Sequence, residues 1–326
     1  MNKFPIIVIG ASSGGLDALR TLLAGLSPDL PAAVLAVVHI GTFEAQLPKF
    51  FHRSPLPVQY AREGEPIVPG KVYLAPPDHH LIVTPGQMHL SHGPRENFSR
   101  PAIDPLFRTA AQAYGPLAIG VILTGNLSDG TAGLWELKQR GGIAIVQDPD
   151  EAEVPSMPRS ALQHVEVDYR LRLKEIAGLI NRMAGEMAEK TPQPPSSREG
   201  PQMSYSAEEP SALTCPDCGG ALRETKTGSY AQFRCHIGHV FGSEEMAVAQ
   251  FDVVEKLLES SVRVLKERVE LCQKLAAAGR ADQRELAALA WESAGRDAQA
   301  RLHTLTGLLE QEWKRPELRE AGRSPV

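Results

Sequence analysis

The run Gly10-Ala11-Ser12-Ser13-Gly14-Gly15 stands directly after an apolar stretch and directly before a helical pattern. A serine among small residues at such a junction can serve as a nucleophile, and Gly10-Ala11-Ser12-Ser13-Gly14 satisfies G-x-S-x-G. Small neighbours allow the sharp strand-to-helix turn that exposes a serine oxygen at the C-terminal end of a strand. The helix N-terminus beyond it offers backbone N–H groups from Ser13, Gly14 and Gly15, suited to a developing oxyanion. Two phosphate-binding readings fit less well. A dinucleotide fingerprint needs glycine where Ser12 stands, and no acidic residue closes the second strand to hold a ribose. A P-loop needs lysine where Leu16 stands. The plain alternative is a glycine-rich turn with Ser12 or Ser13 as helix cap.

A nucleophilic serine needs a base, and the base needs an orienting carboxylate. His39 ends the apolar run Ala33–Val38, so it belongs on the same sheet edge as Ser12. Asp129 follows the run Ala118–Leu123 through Thr124-Gly125-Asn126-Leu127-Ser128 and reaches that edge too. Its alternative role is a turn residue before Gly130, or the cap of a helix starting at Thr131. The other histidines of this half (His52, His79, His80, His89, His92 and His164) read as structural. Three suitable side chains at three strand ends tell more than any one, because ligand sites in open α/β sheets gather there.

A second cluster lies further on. Cys215-Pro-Asp-Cys218-Gly219 is followed by Cys235-His236-Ile237-Gly238-His239, the spacing of a zinc ribbon. Cys215, Cys218 and Cys235 are expected as ligands. The fourth is His239 or His236, and His239, after the Gly238 turn, is favoured because neighbours on a strand point to opposite faces. Four protein ligands close the site, which makes a zinc ion structural rather than hydrolytic. A redox CxxC pair is the competing reading, but it ordinarily opens a helix in a βαβ unit that is absent here.

These residues need a scaffold. Continuous apolar runs at Ile6–Gly10, Ala33–Val38, Lys71–Leu74, Ala118–Leu123 and Ile143–Gln147 read as buried parallel strands. Helical patterns at Leu16–Leu26, Asp104–Tyr114 and Ala132–Arg140 alternate with them. His80–Thr84 and Gln87–Ser91, joined by Pro85-Gly86, read as an antiparallel hairpin attached to that sheet. The expected fold is α/β: a mostly parallel doubly wound sheet with an antiparallel hairpin, then a small zinc ribbon and an α-helical hairpin. The expected boundaries are 1–186 for the catalytic domain, 187–213 for a Pro/Ser-rich mobile linker, 214–242 for the zinc module and 243–320 for the hairpin. In the hairpin, Phe251, Val254, Leu258, Ser261, Leu265, Cys272 and Leu275 follow coiled-coil spacing, broken at Ala278-Gly279-Arg280. That hairpin suggests a helical partner or self-association.

With 326 residues, 42% of them apolar, the chain has material for about two cores. A net charge of −5 argues against nucleic-acid binding and against an anionic membrane surface. The early apolar run is too short to span a bilayer and lacks signal-peptide architecture, so a cytoplasmic location is expected. The four cysteines then read as ligands or buried thiols rather than disulfides.

The order Ser12, His39, Asp129 differs from that of the α/β-hydrolases. Here the sequence closely resembles the chemotaxis CheB methylesterase domain over roughly residues 4–184. The resemblance rests on Gly10–Gly15, Val38-His39, Arg100-Pro101-Ala-Ile-Asp104-Pro-Leu-Phe107, Leu123-Thr-Gly with Asp129-Gly130, and Pro155-Ser-Met-Pro158-Arg159. It implies a nucleophile at Ser12, a base at His39 and an aspartate at Asp129, with no cofactor for catalysis. The implied substrate is a glutamyl methyl ester on a methylated chemoreceptor or related signalling protein, with glutamine deamidation by the same chemistry. Two departures stand out: Ser13 replaces the usual threonine, and Asn126 replaces a methionine. The chain also begins at the catalytic strand, without the receiver domain of the familiar enzyme, so control by phosphorylation within the chain is not expected. From the residues alone, a serine esterase for another acyl substrate and a non-catalytic signalling adaptor remain as alternatives.

Overall fold

The computed structural model describes residues 4–39, 47–189 and 210–311. Uninterrupted runs of Ile, Val and Leu form strands covered on both faces, as parallel strands require. In chain order the first part runs β1 (Ile6–Ala11), α1 (Gly15–Ala24), β2 (Ala33–Val38), α2 (Leu47–Phe50), β3 (Val58–Tyr60) and β4 (Val72–Leu74). It continues with β5 (His80–Thr84), β6 (Gln87–Ser91), α3 (Ile103–Tyr114), β7 (Ala118–Ile122), α4 (Thr131–Gln139) and β8 (Ile143–Gln147). It ends with α5 (Ser156–His164), β9 (Tyr169–Leu171) and α6 (Leu173–Glu189).

Seven strands form one parallel sheet in the order β3-β4-β2-β1-β7-β8-β9. The chain winds outward from β1 in one direction and then, from β7, in the other. The switch point therefore lies between β1 and β7, where such sheets open a crevice at the strands' C-terminal ends. Leu19 and Leu22 of α1 with Ile176 and Ile180 of α6 fill one face of the sheet. Leu106 and Phe107 of α3 with Leu134 and Leu137 of α4 fill the other. Each such side chain, fully buried, contributes roughly 1.5–3 kcal/mol. The β5–β6 hairpin is a separate two-stranded ribbon rather than an extension of the sheet. It packs on α3, where Val83 donates its amide to Thr109 Oγ1 (3.0 Å).

After residues 190–209, which fall outside the described residues together with most of the expected linker, β10 (Pro210–Thr214) begins a four-stranded antiparallel sheet. Its other strands are β11 (Ala221–Thr227), β12 (Tyr230–Cys235) and β13 (Val240–Gly242), paired in sequence order. This small sheet lies in the same compact unit as the parallel sheet, Met1–Glu245.

The second unit, Met246–Val326, holds most of α7 (Ser243–Ala281) and all of α8 (Glu285–Leu309). The helices turn at Asp282-Gln283-Arg284, with Gln283 left-handed at φ 58°. The expected break at Ala278-Gly279-Arg280 is instead helix. Gly279, lacking a side chain, lets the Ala288 backbone approach it. Val262, Cys272 and Ala276 face inward with Ala288 and Ala298, whereas Val254 and Ser261, placed in the seam from the sequence, are exposed. Among the described residues, no helix is long and apolar enough to cross a membrane.

Candidate functional site

Strands β1 and β2 stay in register up to the pair Ala11–Val38. Ser12 and His39 are the next residues on each, leaving the same edge on strands about 4.8 Å apart. His39 donates its amide to the Ala11 carbonyl (3.0 Å), and Ser12 donates its own to the Thr124 carbonyl (3.0 Å). The serine is thereby tied to the end of β7 on its other side. Gly125 lies against it with no room for a side chain: a Cβ there would overlap Met157 Sδ and Ser12 Cβ.

The turn after Ser12 closes on itself, because Gly15 donates its amide to the Ser12 carbonyl (2.7 Å). That bond corrects the expectation for Gly15, whose N–H is already spent; of the three expected donors, the amides of Ser13 and Gly14 remain candidates. Helix α1 is capped by Gly14 at φ 72°, without a side-chain hydrogen bond. Neither serine is therefore a helix cap. Ser13 Oγ instead accepts from Asn126 Nδ2 (3.0 Å).

Asp129 leaves the loop after β7 and is buried at the N-terminus of α3. Its Oδ2 accepts the Ile103 amide (2.6 Å) and its Oδ1 the Asp104 amide (3.2 Å). Unpaired amides at a helix start suit a negative charge. His39 Nε2 lies 3.0 Å from Oδ2, at ion-pair distance but off the line of a straight hydrogen bond. Burial acts to raise the Asp129 pKa, but His39, the Ile103 amide and Asn97 outweigh it and hold the carboxyl below its ordinary value.

A second carboxyl sits beside it. Asp104 is fully buried, and burial, then the Asp129 charge, push its pKa well above the ordinary range. Its Oδ1 accepts the Gly133 amide (2.7 Å). Asn97 bridges the two, with Nδ2 donating to Asp104 Oδ2 (3.0 Å) and to Asp129 Oδ1 (2.9 Å). The sequence points to neither the bridge nor the second buried aspartate. Asn97 sits in an irregular loop with no strand end or motif to single it out.

In the small sheet, one ligand atom from each of Cys215, Cys218, Cys235 and His239 lies within 4.8 Å of all the others. Cys218 Sγ and Cys235 Sγ are 3.7 Å apart, and His239 Nδ1 is 3.7 Å from Cys215 Sγ and 3.5 Å from Cys235 Sγ. A tetrahedral ion about 2.3 Å from sulfur and about 2.0 Å from nitrogen requires S···S near ~3.8 Å and S···N near ~3.5 Å. The donor set and its spacing fit such an ion. His236 is outside this group, its ring packed over Gly220. Burial opposes a Cys235 thiolate, but the amides of His239, Gly238 and Ile237 prevail and bring its thiol down to about 7. Cys272 is not part of the cluster; it is buried between the two long helices, beside Gly295.

A family model described as CheB methylesterase matches residues 7–180. A protein of Leptospira interrogans is 43% identical over 184 residues, 56% of this chain and 95% of that one. A protein-glutamate methylesterase/protein-glutamine glutaminase of Anaeromyxobacter dehalogenans is 41% identical over 183 residues, 56% of this chain but 54% of the relative. The chain thus spans nearly all of the first relative and about half of the second. Among solved structures, the CheB methylesterase catalytic domain of Thermotoga maritima matches with a TM-score of 0.53 and 34% identity. That match covers 55% of this chain and 98% of the other.

Proposed function

Because the chain belongs to the CheB methylesterase family, we propose that it hydrolyses glutamyl methyl esters on a chemoreceptor-like signalling protein. Deamidation of glutamine side chains follows by the same chemistry, with ammonia in place of methanol. The observation that carries this reading is the pairing of His39 Nε2 with a buried Asp129, its carboxyl held below the ordinary value, next to the turn that carries Ser12.

Since Nε2 faces the carboxylate, Nδ1 is the nitrogen available to the serine. Nδ1 takes the Ser12 proton as Oγ bonds to the ester carbonyl carbon, and the amides of Ser13 and Gly14 receive the oxyanion. The bond to methoxide then breaks, and His39 returns the proton to the departing oxygen, releasing methanol. Water next attacks the glutamyl-serine ester with His39 again as base, which frees the glutamate and restores Ser12. Asp129 keeps the imidazole in the required tautomer and stabilises its charged form.

The Cys215, Cys218, Cys235 and His239 set would hold a zinc ion in a structural role, since four protein ligands would leave no position open for hydrolysis. Methanol release from methylated receptor by the full-length chain tests the main reading. Ser12→Ala should lower turnover by ~10³-fold or more while leaving the fold intact. Undiminished release would remove Ser12 from the scheme, and the absence of release from the parent protein would leave another acyl ester or a binding role.

A further inference from the structure

We propose that the small sheet β10–β13 is a working part of the hydrolytic site, with Asn97 and Ser128 as positioning residues that convey its docked state to Asp129. This inference rests on the reading of Asp129 as the residue that orients His39.

The contacts converge on the aspartate from two sides. On the first, Asn97 donates its amide to the Val240 carbonyl (2.8 Å), and its side-chain Oδ1 accepts the Gly242 amide (3.1 Å). With the oxygen engaged by β13, the side-chain nitrogen can face only the two carboxyls. The backbone here is held in place as well. Asn97 and Phe98 are both left-handed, at φ 50° and 64°, a conformation phenylalanine adopts only when its surroundings hold it. Phe98 is held edge-on against Phe241 of β13, with ring centroids 5.5 Å apart.

On the second side, Ser128, next to Asp129 in the chain, donates its amide (2.8 Å) and its hydroxyl (2.7 Å) to Glu245 Oε1. The Tyr230 hydroxyl of β12 completes the group, 2.5 Å from Ser128 Oγ. Gly242 closes over it so tightly that a Cβ would overlap Tyr230 Oη and Glu245 Oε2. The clamp is contiguous with the Cys/His cluster: His239 precedes Val240, Cys235 ends β12, and the Cys235 amide donates to the His239 carbonyl (3.1 Å). An ion that orders the β12–β13 turn therefore also orders the groups that grip Asn97 and Ser128.

The test uses full-length protein with ¹⁵N-labelled histidine. The His39 ring N–H signal is recorded beside kcat, KM and the pH profile, before and after zinc removal by chelation and after Zn²⁺ is restored. Zinc removal should shift or broaden that signal, move the acidic limb of the pH profile, and lower kcat about 10- to 100-fold with KM nearly constant. Added Zn²⁺ should reverse all three. Asn97→Ala should reproduce these effects with zinc bound, and Gly242→Ala should do so from the module's side. If Asn97→Ala fails to fold, zinc removal and Gly242→Ala carry the test. An unchanged ring signal and pH profile after zinc removal would overturn the proposal, whatever the substrate. Methanol release that ignores Ser12→Ala would instead overturn the esterase reading, and the ring signal would still decide this one.

Discussion

Two buried carboxyls a side chain apart cannot both ionise without strong opposition, and their surroundings push them in opposite directions. At the start of α3 the carboxyl of Asp129 is held below its ordinary value, whereas burial and the Asp129 charge push that of Asp104 well above it. Amide replacement should separate them. Asp129→Asn places an amide where His39 needs an acceptor and should lower kcat by roughly 10⁴-fold, the scale seen in serine triads. Asp104→Asn leaves the Asp129 carboxylate in place but turns one donor toward the Gly133 amide or Asn97 Nδ2, and should lower kcat far less, by about 10-fold. A comparable collapse in both variants would contradict that difference. The placement of Ser12, His39 and Asp129 at one sheet edge was legible because each ends an apolar strand or follows it closely. Asn97 was not, since its importance comes from partners far away in the chain.

At the scale of elements, the strongly apolar strands β1, β2, β4, β7 and β8 were readable as runs. The three-residue strands β3 and β9 are only partly covered and carry no such signal. The element that ends the first unit has its own titration. Glu245, in the first turn of α7, is fully buried against Ser128 and Tyr230 with Glu244 beside it, and burial raises its pKa to about 7. A raised carboxyl pKa means the folded state binds the proton more tightly. Its stabilising contribution is full below the unfolded value near ~4.5 and is lost as pH rises through about 7. Denaturation midpoints of the full chain should therefore fall between pH 5 and pH 8 more steeply than those of Glu245→Gln. The difference corresponds to on the order of 3 kcal/mol. Asp104 titrates with the same sign in both proteins, so only the difference between them reports on Glu245. Parallel slopes would show that Glu245 does not titrate there.

At the scale of the molecule, the Cys/His sheet is small, and a bound ion contributes ~10–16 kcal/mol in comparable small units. One equivalent of Zn²⁺ per chain is expected. Chelation should make Cys215, Cys218 and Cys235 reactive to a thiol reagent in the native protein, while Cys272, buried between helices, stays silent. Equal reactivity of all three thiols before and after chelation would argue against the ion. The Cys/His cluster and the grouping of Ser12, His39 and Asp129 at one sheet edge could both be expected from the chain, because they depend on residue type and short-range spacing. Parallel βα order then sends successive strand ends to one edge without further instruction. What packs around those ends is another matter. The Gly242 amide reaches Asn97 across 145 positions, and Glu245 reaches Ser128 across 117. No local pattern encodes such pairs: they exist because folding excludes water from one small volume and each polar group there must find a partner.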